Sequence, residues 1–327
     1  MFSQLNLSGS NVMVTGGAGF IGSHLTERLL GMGAAVTVYD NFDDFYPGKE
    51  GNLAGRSGAK GFKVVRASIL DVESMRKAMA DVRIVFHLAA QAGVRYGLVH
   101  PEKAHQVNAS GTLNVLSLAR ELKVQRLIYA SSSSVYGNPT KVPISEEHPL
   151  NPTNIYGASK LAGEKYCLAY QSSYGLPVTC LRYFSVYGPR GRPDQVLYEM
   201  ASRVAAGSAA EIFGDGRQSR DFTFVSDIVE GTVLASQNDD CIGEVFNLGY
   251  GAEFSMNEAA ARINEYFKGR LAPVHRPAYG GDFLRTLCDN RKARTRLGWA
   301  PQVSFSNGLN EFLDWYAGKN VQKVSRP

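Results

Sequence analysis

Residues 12–25 constrain this chain more than any others. Val12, Met13 and Val14 form an apolar run of strand length. Gly16, Gly19 and Gly22 follow at once, and Leu25, Leu29 and Leu30 then recur with helical spacing. A strand that enters a glycine turn and leaves as a helix lets the backbone approach a pyrophosphate, with free helix-start N–H groups aimed at its charge. Glycines also occupy ordinary turns. Here, however, a second apolar run from Ala34 to Tyr39 ends in Asp40. An acid about 20 residues past the glycines is placed to bind the hydroxyls of an adenosine ribose. Its carboxylate repels a 2′-phosphate, so the expected cofactor is NAD rather than NADP.

The pattern repeats. Strands are expected at Lys63–Ala67, Val82–Leu88, Arg126–Ala130 and Val178–Phe184. Helices are expected at Val72–Ala80, Pro101–Leu122 (apolar side Val107, Leu113, Val115, Leu116 and Leu118) and from Tyr156 to Tyr174, with a loop at Phe45–Gly61. Alternating strand and helix imply an α/β fold, a doubly wound parallel sheet of Rossmann type that binds ligands beyond the carboxyl ends of its strands. The glycine turn, Asp40, the small residues Ala89 to Gly93 and the serines Ser131 to Ser134 all fall at those ends. Past about residue 176 the elements are mixed: Glu199–Ala206, Glu211–Phe213, a helix to Ala235 capped by Ser226 or Asp227, Val245–Leu248, Ser255–Phe267, Asp289–Leu297 and Leu309–Tyr316. This predicts a dinucleotide domain at 1–176, with returns near 222–248, and a smaller mixed α/β substrate lobe mainly at 177–327. The last ten or so residues are expected to be disordered.

Composition removes other classes. The 327 residues are 44% apolar and 20% charged, ordinary for a soluble globular protein. A net charge of +5 is mild, and Lys and Arg are scattered apart from Lys319, Lys323 and Arg326. A nucleic-acid partner would call for a clustered stripe. Cys167, Cys180, Cys241 and Cys288 are far apart, so reduced buried thiols are expected rather than disulfides or zinc, and the histidines lack metal-site spacing. Neither a signal peptide nor a membrane-length apolar run is visible, which predicts a cytoplasmic protein.

Tyr156 and Lys160 stand four apart, on one face if the segment is helical. An ammonium beside a phenol favours the phenolate and lowers a pKa of about 10. Such a tyrosine serves as general base or acid near neutral pH. A surface helix pair is the bland alternative, but the dinucleotide turn and the serine run favour catalysis, with a serine hydroxyl sharing the substrate proton.

The segments GGAGFIG, YASSSSVYG and YGASK, in this order, resemble the extended short-chain dehydrogenase/reductase family, specifically its NAD-dependent nucleotide-sugar epimerases. The resemblance runs from Val12 to about Tyr316. It implies Ser132, Tyr156 and Lys160 as catalytic residues. It implies NAD contacts from Gly16, Gly19, Phe20, Ile21, Gly22, Asp40, Asn41, Ile69, Leu88, Ala89, Ala90, Asn108, Tyr156, Lys160 and Tyr183, and from Ser68, where many relatives carry Asp. Tyr156 would take the proton of a sugar 4-hydroxyl while hydride leaves C4. The 4-keto sugar would then turn over and accept hydride on its other face.

Departures narrow the reaction. Family dehydratases carry Asp-Glu where Ser133 and Ser134 stand, and Ser134 also replaces the Glu of decarboxylating relatives. Ser185 replaces the Asn usual in UDP-galactose epimerases. The run RYFSVYGPRGRPD, with Arg95 and the serines, looks more like UDP-glucuronate 4-epimerases. Arg95, Arg192, Ser132, Ser133, Ser134 and Ser185 are therefore expected to face a sugar carboxylate or the diphosphate. Phe213 would pack on the uracil, Arg220 bind the diphosphate and Asp282 take the uridine ribose. The alternatives are UDP-glucose/UDP-galactose or N-acetyl 4-epimerisation, a dehydratase or reductase, and a non-catalytic dinucleotide-binding regulator. The relatives also imply a homodimer through helices 101–122 and 156–174.

Overall fold

The computed structural model describes residues 5–56, 58–269, 271–278 and 284–324. Its centre is a parallel sheet built from β1 (Asn11–Thr15), β2 (Ala35–Asp40), β3 (Phe62–Arg66), β4 (Ile84–His87), β5 (Arg126–Ser132), β6 (Val178–Tyr183) and an edge strand, Val245–Leu248. The order across the sheet is edge strand, β6, β5, β4, β1, β2, β3. Successive strands are therefore added first on one side of β1 and then, from β4, on the other, and this change between β1 and β4 is the switch point where such sheets bind ligands. Register aligns the carboxyl ends: Thr15 lies opposite Tyr39 and His87, and Ser132 opposite Tyr183.

Strand periodicity explains the two covered faces. Val12 and Val14 point to one side with Val36, Ile84 and Phe86, under the helices Phe20–Gly31 and Val225–Gln237. Met13 points to the other with Val85, Leu127 and Cys180, under Val72–Met79, Thr112–Glu121 and Ile155–Tyr174. Each fully buried Val or Leu contributes about 1.5–3 kcal/mol. The later elements include the helices Val196–Ala205, Met256–Tyr266 and Phe305–Val324 and three two-stranded pairings, such as Glu211–Phe213 with Val274–Arg276. Among the described residues no helix is long and apolar enough to cross a membrane. The four cysteines are buried free thiols.

Three expectations need correction. The 101–122 helix is interrupted: Pro101–His105 passes into a π-helical turn, Gln106–Gly111, before Thr112–Glu121 resumes. The inserted residue rotates the face, so Leu113 is exposed. Ser226 and Asp227 do not cap their helix; Asp227 instead accepts the backbone N–H groups of Gln302 and Val303. The loop at 45–61 contains a helical turn, Lys49–Asn52. The last helix is Phe305–Val324, with Phe312, Leu313 and Tyr316 buried against the core.

The glycine turn shows why glycine is required. A Cβ on Gly22 would lie 2.1 Å from the Gly16 carbonyl oxygen. Gly16 has φ +70° and its own Cβ would sit 2.7 Å from the Ala89 nitrogen. Gly22→Ala is expected to destabilise the fold by about 1–3 kcal/mol and to strip bound dinucleotide, read by thermal melting and by the NAD content of purified protein. An unchanged melting point and full occupancy would contradict the packing argument.

Candidate active site

A cleft of about 180 Å³ runs along the carboxyl ends of the central strands. Gly16, Gly19, Phe20, Ile21 and Gly22 line it at the start of helix Phe20–Gly31, whose N-cap residue Gly19 supplies no side-chain cap. Asp40 and Asn41 line it from the end of β2, Ser68 and Ile69 after β3, Leu88, Ala89 and Ala90 after β4, and Tyr156, Lys160 and Tyr183 from the far side. The donor set and shape suit a dinucleotide. One end has an open helix N-terminus, the middle an apolar wall, and the ribose end a carboxylate. Asp40 already accepts N–H from Ala18 at 3.0 Å and Phe42 at 2.8 Å, and burial pushes its carboxyl up despite these bonds and the Lys49 charge.

Asn108 differs from the expectation. It is fully buried in the π-helical turn, accepts N–H from Gln91 at 2.7 Å, and donates to the Gln91 carbonyl and to Ser159. Its job in this structure is to hold the loop after β4, not to line the cleft. Spacing alone could not reveal this, because it depends on the inserted helical residue. The same turn places Gly111 against Ile69, whose Cδ1 would lie 2.5 Å from an added Cβ.

Asn154 caps helix Ile155–Tyr174 by accepting the Gly157 N–H at 2.8 Å. A Cβ on Gly157 would stand 2.4 Å from the Ser134 carbonyl oxygen, so this glycine lets the helix carry Tyr156 up against the serine turn. Ser132 accepts the Ser134 N–H at 3.1 Å and reaches the Tyr156 phenol, favouring its ionisation. Ser133 and Ser134 form the turn behind it; Ser131 lines the cofactor cleft, whereas Ser132, Ser133 and Ser134 line neither cavity.

Burial dominates the electrostatics of both Tyr156 and Lys160. It raises the Tyr156 pKa; the opposing charge is that of Arg192, followed by the Ser132 hydroxyl bond. Lys160 is 2% exposed, with its ammonium 4.2 Å from the centre of the Tyr129 ring, and burial lowers its pKa to about 8. Burial is therefore the largest influence on both groups, raising the phenol and lowering the ammonium.

A second cavity of about 630 Å³ adjoins the first at Phe45 and Arg192, which line both. Arg95, Ser185, Phe213 and Arg220 line it. Arg95 pairs with Glu199 at 3.0 Å and stacks over Phe213 at 5.2 Å, and Arg192 pairs with Asp194 at 2.8 Å. Asp282 lies outside the described residues. Sequence reasoning missed Asp194, Glu199, Asp43, Lys49 and Tyr46. The Tyr46 hydroxyl accepts the Phe20 N–H at 3.0 Å, at the helix start, and burial raises its pKa to about 12. Only the glycine turn could have pointed to it, because Tyr46 sits in the irregular loop after β2.

Fold and cleft together define a dinucleotide-dependent enzyme. Residues 12–249 match the NAD dependent epimerase/dehydratase family model, and the chain belongs to that family. It is 36% identical over 314 residues to the UDP-glucose 4-epimerase of Mycolicibacterium smegmatis, covering 94% of this chain and 99% of the relative. The UDP-glucuronic acid 4-epimerase of Bacillus cereus, solved with UDP-glucuronic acid and NAD, superposes with a TM-score of 0.90. It is 34% identical, covering 94% of this chain and 99% of that one. The UDP-glucose 4-epimerase of Thermotoga maritima, solved with UDP-glucose, gives 0.89 at 33% identity over 95% and 99%. The chain is accordingly an NAD-dependent isomerase of the epimerase type.

Because the folded pKa of Lys160 lies at about 8, below its ordinary 10.5, the cost of its buried charge is fully present below pH 8. That cost fades as pH rises toward 10.5. In NAD-free protein, Lys160→Met is expected to raise stability at neutral pH, with the advantage shrinking across that window. Urea unfolding at several pH values measures it, and a pH-independent difference would contradict the burial argument.

Proposed function

We propose that this chain inverts C4 of a UDP-hexose through a transient 4-keto sugar, acting on UDP-glucuronate and UDP-galacturonate. Tyr156 takes the proton of the 4-hydroxyl and later returns it, with Ser132 sharing that proton. Lys160 holds the nicotinamide ribose. When bound, NAD supplies the acceptor for the C4 hydride and gives the hydride back. The second cavity has room for a hexose to turn over, its volume lying within the range of small-molecule sites. Phe213 and Arg220 take the uridine diphosphate, and Asp282 its ribose.

The observation that carries the uronate reading is Arg192. It lies at the junction of the two cavities, acts electrostatically on Tyr156, and shares the second cavity with Ser185. A guanidinium there suits a sugar carboxylate by paired hydrogen bonds. UDP-glucose with UDP-galactose is the second reading. It is favoured by Asp194, Glu199 and Glu211, three carboxylates that line the same cavity and oppose an anionic sugar. Dehydration lacks an acid pair at Ser133 and Ser134.

The remaining expectations belong to the same reading. Residues 1–176 with the returns at 222–248 hold the cofactor, and residues from 177 mainly hold the sugar nucleotide. Two copies pair through helices 101–122 and 156–174, supported by exposed Leu113, Tyr166 and Tyr174. A cytoplasmic location is supported by the four free thiols.

A panel of UDP-sugars followed by NMR for C4 inversion tests the substrate. UDP-glucuronate is expected to exceed UDP-glucose about tenfold or more in kcat/KM, and the reverse order would move the assignment to the second reading. A lasting deoxy-keto product would reject epimerisation. Tyr156→Phe is expected to lower kcat by a factor on the order of 10² to 10⁴, whichever sugar is used. Arg192→Met is expected to cost the uronate far more than UDP-glucose, seen in the ratio of their kcat/KM values.

A further inference from the structure

Beneath the serine turn lies a buried ion pair to which the reaction as described gives no task. Glu164, with no exposed surface, stands one helical turn beyond Lys160. Its carboxylate accepts the Ser131 hydroxyl at 2.7 Å and two N–H groups of Arg182, Nε at 3.0 Å and Nη2 at 2.6 Å. Arg182 is 3% exposed and spends its remaining fork on the Tyr136 hydroxyl at 2.7 Å and the Glu146 carbonyl at 3.1 Å. Tyr136 in turn donates to Asn247 at 2.7 Å. One carboxylate thus links the catalytic helix to β5, to β6 and, through Tyr136, to the edge strand.

A buried ion pair of this kind is poor value as a stabiliser, since apolar residues of similar size often do as well. The rest of this helix face, Cys167 included, packs on side chains such as Tyr129 and Cys180. What the pair does provide is geometry. The helix is already pinned along its axis, because Gly163 lies against Tyr129, whose hydroxyl donates to the Lys160 carbonyl at 3.1 Å. The Glu164 carboxylate adds the cross-link to Ser131, the residue next to Ser132, and to Arg182, the residue next to Tyr183 of the cofactor cleft. The negative charge also opposes the loss of the Lys160 proton.

We propose that Glu164 is a positioning residue: through Ser131 and Arg182 it fixes the Ser132 end of β5 and the Tyr183 end of β6 against the helix that carries Tyr156 and Lys160. This rests on the roles given above to Tyr156 and Ser132. Tyr156→Phe, assayed alongside, separates the two claims: full turnover in that variant would remove the role of Tyr156 itself, whatever Glu164 does.

The deciding variant is Ser131→Ala, which deletes the link and leaves the ion pair whole; because Ser131 also lines the cofactor cleft, NAD content is measured alongside turnover. It is expected to keep its fold and its NAD, to lose about tenfold or more in kcat, and to hold KM for the UDP-sugar within about twofold, since small misplacement of reacting groups costs rate more than binding. Turnover within about twofold of wild type would overturn the proposal. So would loss of NAD, which would make Ser131 a cofactor contact instead. Glu164→Gln closes a double-mutant cycle: if both residues act through one bond, the double variant loses little more than the worse single. Multiplying losses would overturn the proposal. If Glu164→Gln fails to fold because Arg182 is left buried and unpaired, Ser131→Ala decides alone.

Discussion

Desolvation of one phenol and one ammonium is the constraint on which the site turns. Burying either group opposes its charged form, and the opposition is large enough to raise the Tyr156 pKa and to bring Lys160 down to about 8. A base needs the phenolate, so charge must be supplied by something other than the fold's bare interior. Within the protein that charge is Arg192, reinforced by the Ser132 hydroxyl. Arg192 also borders the cavity assigned to the sugar. The residue proposed to recognise the substrate is therefore also the charge that opposes burial at Tyr156.

The scaffold serves this electrostatic arrangement by close backbone approach. Gly16 and Gly22 bring the first helix against β1 and the loop after β4, and Gly157 brings the catalytic helix against the serine turn. Asn108 and Glu164 then lock two of these approaches with buried hydrogen bonds. Parallel strands whose carboxyl ends share one register deliver all of these groups to the same edge of the sheet.

Most of the sheet could be read from the amino acids because its strands are short apolar runs between turn signals. The cleft was readable for the same reason: residues immediately after such strands, from Gly16 to Tyr183, line it. Reading failed where one inserted residue or one long-range contact decides. The π-helical turn rotates the helix so that Leu113 is exposed and Asn108 turns inward. Asp227 is occupied by distant backbone from Gln302 and Val303 rather than by its own helix. The neighbours Tyr46 and Asp194 come from irregular segments and Lys49 from a single helical turn, where no periodicity marks which side chain faces a ligand. The four-residue spacing marks Tyr156 and Lys160 as sharing one helix, but a spacing says nothing about the cost of burying either group.

The most direct test of the account is a spectroscopic titration of the Tyr156 phenol, taken as the difference between wild-type and Tyr156→Phe protein, with and without NAD and in the Arg192→Met background. The account predicts a pKa above about 10 in NAD-free protein, a further rise when Arg192 is replaced, and a fall when the cofactor is present. A phenol that ionises near neutral pH without NAD, or that ignores the loss of Arg192, would contradict it.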